Sequence, residues 1–120
     1  MRVLAFEDSY DIEAMLESAG IDCQQMIFKQ QWNTSDFLSH IAEFKPDVLL
    51  LDFYMPPANG LEVLSSLLEA VEDERLERPA TIVAMSSEAS ANQRLITRGA
   101  DTSVIKFEIG SLSIWLRREC

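Results

Sequence analysis

Two segments of the chain are apolar over the length of one β-strand. Residues 48–51 are VLLL, and residues 81–85 are TIVAM, in which only the first residue is polar. A strand with one solvent-facing side alternates apolar and polar side chains, whereas a strand covered by helices on both faces does not. Both segments therefore predict central strands of a parallel sheet. The chain has 120 residues, enough for one such core, and we expect a single domain over residues 1–120.

Strand and helix patterns alternate five times along the chain. We predict strands at residues 2–6, 23–28, 48–51, 81–85 and 103–105. We predict helices at residues 12–19, from a cap at Thr34 or Ser35 to the residue before Pro46, and at residues 60–71, 90–97 and 112–117. Regular alternation of this kind is typical of an α/β protein with helices on both faces of a parallel sheet.

Composition narrows the classes of function. Acidic residues outnumber basic ones by 20 to 10, and no basic cluster is long enough to follow a phosphate backbone, so we expect no direct nucleic-acid binding. The chain has no apolar run close to the ~18 residues of a membrane span and no secretory pattern at its start. We therefore predict a soluble cytoplasmic protein that does not bind a membrane. Cys23 and Cys120 have no partner at metal-binding spacing, and we expect both to be reduced.

Polar side chains follow four of the five predicted strands. Glu7 and Asp8 follow the first strand, Asp52 the third, Ser86 the fourth and Lys106 the fifth. Parallel strands end at one edge of the sheet, so these side chains are expected to converge there. Three neighbouring carboxylates repel one another unless some are protonated or a cation lies between them. A ligand set made only of oxygens favours Mg²⁺.

A phosphoryl group is the anion that completes such a site. Mg²⁺, the ammonium of Lys106 and a serine hydroxyl can each bind one of its oxygens. A carboxylate beside them is able to act as a nucleophile and form an aspartyl phosphate. Asp52 is the candidate because it ends the central strand and the adjacent turn MPPANG exposes it. Each of these residues taken alone also fits an ordinary loop or capping role, and only their shared edge and order indicate chemistry.

Over essentially its whole length the sequence resembles the receiver domain of two-component response regulators. The segments that carry the resemblance are FED, LLLDFYMPPANGLEVL, AMSSE and GADTSVIKF. The resemblance implies a flavodoxin-like, doubly wound sheet of five parallel strands in the order 2-1-3-4-5, similar to single-domain chemotaxis regulators. It also implies phosphorylation by a histidine kinase or a histidine phosphotransfer protein, and an output through altered binding to a downstream protein.

The resemblance assigns a role to each residue of the acidic group. Asp52 matches the phosphoacceptor, and Glu7 and Asp8 match the acidic pair that organises Mg²⁺. Tyr54 would add its backbone carbonyl to the metal ligands.

The remaining polar residues match the groups that contact the phosphoryl oxygens or set reaction rates. Ser86 matches the switch hydroxyl, and Lys106 matches the lysine that neutralises the phosphoryl charge. Tyr54 and Glu88 occupy positions that tune the dephosphorylation rate. We hypothesise that the bulk of Tyr54 restricts water and lengthens the lifetime of the phosphorylated protein.

The sequence departs from the family pattern near its C-terminal end. Phe107 follows Lys106, where the family usually has a proline, and Ser103 replaces the aromatic residue whose ring moves on activation. A swinging-ring switch therefore cannot operate at residue 103. The interval from Ser86 to Lys106 is slightly shorter than usual, so we expect a truncated or irregular fourth helix. The first helix is also expected to be short.

Other functions remain open at this stage. The main alternative is a degenerate receiver that acts as a protein interaction module without phosphorylation, which the two departures at Ser103 and Phe107 favour. A phosphohydrolase with an aspartyl nucleophile would need a second carboxylate two residues after Asp52, where Tyr54 stands. A nucleotide-binding domain would need a glycine-rich loop after the first strand. We therefore expect a protein that is not an enzyme beyond its own phosphorylation and dephosphorylation.

Overall fold

The computed structural model describes residues 1–118, and five strands within them form one sheet. The strands are β1 (Arg2–Phe6), β2 (Ile27–Gln31), β3 (Val48–Leu51), β4 (Thr81–Ala84) and β5 (Thr102–Ser103). Their order is β2-β1-β3-β4-β5, and every neighbouring pair is parallel. The predicted flavodoxin-like, doubly wound sheet and its strand order are confirmed.

Four α-helices and one 3-10 helix connect or follow the strands. They are α1 (Ile12–Ser18), α2 (Phe37–Phe44), α3 (Gly60–Glu72), α4 (Ala89–Arg98) and a 3-10 helix (Lys106–Ser111). Helix α1 has seven residues and is short, as predicted. Helix α4 has ten residues and is regular, so the expectation that it is truncated was wrong. No helix within residues 1–118 is both long and apolar enough to cross a membrane.

The core consists of two apolar clusters, one on each face of the sheet. All four residues of β3 are buried, and they alternate between the clusters because successive side chains point to opposite faces. Leu49 and Leu51 pack with α2, α3 and α4 on one face. Leu50 packs on the other face with α1 and with Trp115 from the C-terminal segment. Burial on both faces is the reason that this strand is continuously apolar.

The second strand lies later in the chain than predicted. Residues 23–28 were expected to form it, but the strand is Ile27–Gln31, and Met26 closes a turn by donating to the carbonyl of Cys23. Strand β2 is an edge strand with a half-exposed, mostly polar sequence, so its hydrophobic signal is weak. Cys23 is a free thiol, and Cys120 lies outside the described residues.

Helix α2 is not capped by Thr34 or Ser35. Its cap residue is Asp36, which has a left-handed backbone (φ 53°) and makes no side-chain capping bond. The Thr34 hydroxyl is instead bound to the backbone of Ala58, where it accepts from the amide at 2.8 Å and donates to the carbonyl at 2.7 Å. Thr34 therefore ties the loop before α2 to the loop after β3.

The predicted fifth α-helix at residues 112–117 was wrong. Strand β5 is only two residues long, at Thr102–Ser103 instead of 103–105, and the 3-10 helix follows it. The segment beyond contains a turn at residues 113–114 and a bend at Trp115, and Arg117 forms an isolated antiparallel bridge with Ile21. Trp115 stabilises this arrangement because its buried indole donates to the carbonyl of Ile109 at 2.8 Å. The segment thus covers the face beside α1 without forming a helix.

Candidate functional site

Three carboxylates meet at the carboxyl ends of β1 and β3. Glu7 and Asp8 follow β1, and Asp52 follows β3. The two strands are neighbours, and their register places Phe6 opposite Leu51, so the residues after these two lie side by side. One carboxylate oxygen from each of the three acidic residues lies within 4.8 Å of the other two. Glu7 and Asp52 are buried, whereas Asp8 is exposed, so the cluster opens to solvent on the Asp8 side.

Lys106 closes the buried side of the acidic cluster. Its ammonium Nζ lies 2.9 Å from Oε1 of Glu7 and donates to Oδ2 of Asp52 at 3.1 Å. The side chain is only 6% exposed, which is unusual for a lysine and is explained by these two negative partners. The lysine reaches both carboxylates with Phe107 in the place of the family's proline.

The charges of the cluster perturb one another. Burial raises the pKa of Asp52 from 3.8 to about 6, although the hydrogen bond and charge of Lys106 act in the opposite direction. Burial by itself lowers the pKa of Lys106, but the negative charges of Glu7 and Asp52 and its bonding to them together outweigh burial and raise it. The lysine is therefore charged at neutral pH, and within residues 1–118 it is the one cation paired with these carboxylates. The site retains an excess of negative charge.

The donor set fits a hard divalent cation. Oε2 of Glu7 accepts from the amides of Ser9 and Tyr10 at 3.1 and 2.9 Å, which fixes the carboxylate. Oε1 of Glu7 is buried and has no hydrogen-bond partner, only the nearby charge of Lys106. A buried carboxylate oxygen that has an ion pair but no hydrogen bond still has a lone pair with which to ligate a metal. Mg²⁺ needs only a few protein oxygens and keeps several waters, which the open side at Asp8 can admit.

Glycine at residue 60 brings helix α3 against the backbone of Asp52. The amide of Gly60 donates to the carbonyl of Phe53 at 2.7 Å. A Cβ atom at residue 60 would overlap the carbonyl oxygen of Asp52 and lie 2.9 Å from Cα of Phe53. Asn59 caps the helix by accepting from the amide of Glu62 at 2.9 Å. The start of α3 thereby fixes the backbone that carries the Asp52 carboxylate.

Ser86 is buried at the end of β4, next to the segment that carries Lys106. Its hydroxyl accepts from the amide of Glu88 at 3.2 Å, and its carbonyl accepts from the amide of Lys106 at 3.3 Å. The amide of Ser86 donates to Oδ1 of Asn92 on α4 at 2.7 Å. Sequence reasoning missed Asn92. The signal was a polar residue between the buried Ala91 and Leu95 of an amphipathic helix.

Tyr54 and Glu88 are joined at the surface beside the cluster. The Tyr54 hydroxyl donates to Oε2 of Glu88 at 2.7 Å, and this hydrogen bond raises the pKa of the tyrosine. The bond links the loop after β3 to the loop after β4. The proposed metal contact of the Tyr54 carbonyl and the rate-tuning roles of both residues stay predictions.

Fold and site together define a doubly wound α/β domain with a cluster of three carboxylates and a lysine at the carboxyl ends of its strands. The chain belongs to the response regulator receiver domain family, whose family model matches residues 3–111.

Two curated relatives share the sequence of this domain. The chain is 31% identical over 111 residues, or 92% of its length, to a protein-glutamate methylesterase/protein-glutamine glutaminase of Agrobacterium fabrum (strain C58 / ATCC 33970). It is 29% identical over 113 residues, or 93% of its length, to protein-glutamate methylesterase/protein-glutamine glutaminase 2 of Vibrio vulnificus (strain YJ016). The chain spans only 28% and 29% of the length of these two relatives.

Solved structures share the fold. The response regulator domain of Thermotoga maritima CheB superposes with a TM-score of 0.67 at 27% identity, over 95% of this chain and 83% of that one. The chemotaxis response regulator CheY4 of Vibrio cholerae superposes with a TM-score of 0.67 at 20% identity, over 88% of this chain and 85% of that one.

Proposed function

We propose that this chain is a phosphoacceptor receiver domain in which Asp52 takes a phosphoryl group from a phosphohistidine. The donor is a histidine kinase or a histidine phosphotransfer protein, and the output is a changed affinity for a downstream protein. The observation that supports this most is the group of Glu7, Asp8 and Asp52, with carboxylate oxygens within 4.8 Å of one another and Lys106 bonded to Asp52. Such a group combines a nucleophile, a cation site and a fixed positive charge.

Glu7, Asp8 and Asp52 would hold Mg²⁺, together with the backbone carbonyl of Tyr54. When bound, the ion supplies positive charge that offsets the negative charge of the phosphoryl oxygens. The buried Oε1 of Glu7, which makes no hydrogen bond within residues 1–118, and the exposed Asp8 support this assignment.

Asp52, Lys106 and Ser86 each have a separate role in the transfer reaction. A carboxylate oxygen of Asp52 attacks phosphorus, and the bond from phosphorus to the donor histidine nitrogen breaks, so the electron pair of that bond stays with the imidazole. Lys106 supplies a second positive charge to the transferred oxygens, and the hydroxyl of Ser86 donates a hydrogen bond to one of them. The product is an aspartyl phosphate, and the two states of the domain then differ in their affinity for a partner.

Residues 1–120 would act in the cytoplasm as one receiver domain with no catalysis beyond their own phosphorylation and dephosphorylation. The methylesterase and glutaminase activities named for the two curated relatives belong to proteins of which this chain spans under a third. We therefore propose a receiver function for this chain and not those activities.

A receiver-like interaction module that works without phosphate is the alternative. Lys106 is already bonded to Asp52 and close to Glu7, so the buried charges are partly compensated with no phosphoryl group present. Ser103 in the place of the family's aromatic residue also favours this alternative.

Intact mass after incubation with acetyl phosphate and Mg²⁺ decides between the two. The wild type should gain one phosphoryl group, and Asp52→Asn or excess chelator should abolish the gain. Asp36→Asn, an exposed residue whose side chain makes no capping bond, is the matched control and should label normally. A folded wild type that gains no mass would support the phosphate-independent module instead.

A further inference from the structure

Helix α4 carries a buried amide side chain that the proposed reaction does not use directly. Asn92 is only 4% exposed and lies among the apolar residues that pack α4 against the sheet. A polar side chain in such a place destabilises the fold unless its donors and acceptor are all bonded. Each donor and the acceptor of the Asn92 side chain should therefore have a hydrogen-bond partner.

The amide of Asn92 is fully bonded to the backbone. Its Oδ1 accepts from the amide of Ser86 at 2.7 Å. Its Nδ2 donates to the carbonyl of Ser86 at 3.1 Å and to the carbonyl of Val104 at 3.0 Å. Asn92 thus binds both the amide and the carbonyl of Ser86. It also binds Val104, in the segment that leads from β5 to Lys106.

The segment that carries Lys106 has few other attachments to β4. Strand β5 contains two residues, and beyond it the amide of Val104 donates to Ala84 at 2.9 Å and the amide of Lys106 to Ser86 at 3.3 Å. Asn92 adds a third link, from α4, through the carbonyl of Val104. Ser86 and Lys106 are therefore held in one hydrogen-bonded unit with α4.

We propose that Asn92 is a positioning residue that holds the Ser86 hydroxyl and the Lys106 ammonium in register for capture of the phosphoryl group. This inference rests on the proposed function of the site. Within residues 1–118, the side-chain hydrogen bonds of Asn92 go to Ser86 and Val104, and none goes to the carboxylates that would hold Mg²⁺. Loss of Asn92 should therefore impair phosphoryl capture and leave metal binding intact.

The test is the rate of phosphorylation by acetyl phosphate measured across a range of Mg²⁺ concentrations. Asn92→Leu keeps the size of the side chain and removes all three hydrogen bonds. We expect its rate at saturating Mg²⁺ to fall by about tenfold or more, because small misplacements of catalytic groups are costly, while the half-saturating Mg²⁺ concentration stays within about twofold of the wild type. Hydrogen exchange at the amides of Ser86 and Lys106 should also become faster than in the wild type.

Leu95→Ala is the matched control. Leu95 is fully buried on the same helix and packs in the apolar cluster, so its truncation lowers stability without touching Ser86 or Val104. It should keep the wild-type rate at saturating Mg²⁺. If Asn92→Leu does not fold, Asn92→Asp replaces it, since the carboxylate retains an acceptor for the Ser86 amide and loses both donors, and it should also slow capture.

The outcomes separate this inference from the proposed function. If the wild type is phosphorylated and the Asn92 variants react as fast as Leu95→Ala, the positioning role of Asn92 is overturned. The proposed function would then still stand. Equal effects on the rate and on the half-saturating Mg²⁺ concentration would also overturn it, since the metal side would then be disturbed. A wild type that takes no phosphoryl group would overturn the proposed function, and the inference with it.

Discussion

The hydroxyl of Tyr54 lies 2.7 Å from Oε2 of Glu88, so the residue two places after Asp52 is bonded to the residue two places after Ser86. The bond spans the loops that follow β3 and β4. Both side chains are exposed, and 54% of the tyrosine surface is open to solvent. The pair can therefore rearrange without disturbing the core, as the hypothesis that it controls access to the acidic cluster requires.

Removing this pair should shorten the lifetime of the phosphorylated protein. In Tyr54→Asn the ring and its bond to Glu88 are both lost, and we expect the aspartyl phosphate to decay several-fold faster because water reaches it more easily. Tyr54→Phe keeps the ring and loses only the bond, and should give an intermediate decay. The measurement is the loss of phosphoryl mass with time after removal of acetyl phosphate. Unchanged decay in Tyr54→Asn would contradict the hypothesis.

Neutralising Asp52 should stabilise the fold in the absence of Mg²⁺. Its pKa is raised by burial from 3.8 to about 6, so the folded state binds a proton more tightly than the unfolded state. The contribution of Asp52 to the free energy of unfolding should then fall as the pH rises from about 4 to about 6, and should be lost above that range. We expect Asp52→Asn to be more stable than the wild type by about 1–3 kcal/mol at pH 7.5.

Urea unfolding in chelator at pH 4 and pH 7.5 checks the sign of this effect. The difference between Asp52→Asn and the wild type should be large at pH 7.5 and small at pH 4. Asp36→Asn, at an exposed position, should follow the wild type at both pH values. A variant no more stable than the wild type at pH 7.5 would show that Lys106 fully compensates the buried charge.

Mg²⁺ should raise the melting temperature of the wild type. A ligand that binds only the folded state stabilises it by about 2.7 kcal/mol when its concentration is 100 times Kd, which corresponds to several degrees in Tm. Asp8→Asn removes one of the three carboxylates and should reduce the shift strongly, whereas Asp36→Asn should retain it. Identical shifts in Asp8→Asn and the wild type would place the cation elsewhere.

Adding a methyl group at residue 60 should impair the proposed phosphorylation of Asp52 more than it lowers the stability of the fold. In Gly60→Ala the new Cβ overlaps the Asp52 carbonyl, and the forced shift should cost about 1–3 kcal/mol of stability and slow phosphorylation markedly. Gly20→Ala is the matched control. Its φ of +84° makes an alanine unfavourable by about 1–2 kcal/mol, but nothing lies within 4 Å of the added atom, so its phosphorylation should stay normal.

Much of the architecture was predictable because burial on both faces leaves a plain signal. The continuously apolar β3 and β4 identified the centre of a parallel sheet, and the polar residues after four of the strands indicated the edge at which Glu7, Asp8 and Asp52 lie together. Convergence at that edge follows from topology alone.

The remaining features depend on tertiary contacts that no local pattern encodes. Strand β2 is half exposed, so its hydrophobic signal is weak and its predicted position was early. The segment at residues 112–117 has an apolar pattern compatible with a helix, but the hydrogen bond from Trp115 to Ile109 and the bridge from Arg117 to Ile21 hold it in a non-helical conformation. The bonds of Asn92 join segments that are distant in sequence.

The segment at residues 112–117 also affects the order in which the two apolar clusters become buried during synthesis. The apolar cluster under α2, α3 and α4 draws its buried residues from positions 4 to 100. The cluster under α1 needs Ile109 and Trp115, which the ribosome adds later. Because buried apolar contacts require both partners, this cluster is complete only after Trp115 has been made. Helix α1 precedes α2, α3 and α4 in the sequence, but the apolar cluster that it packs in is completed after theirs.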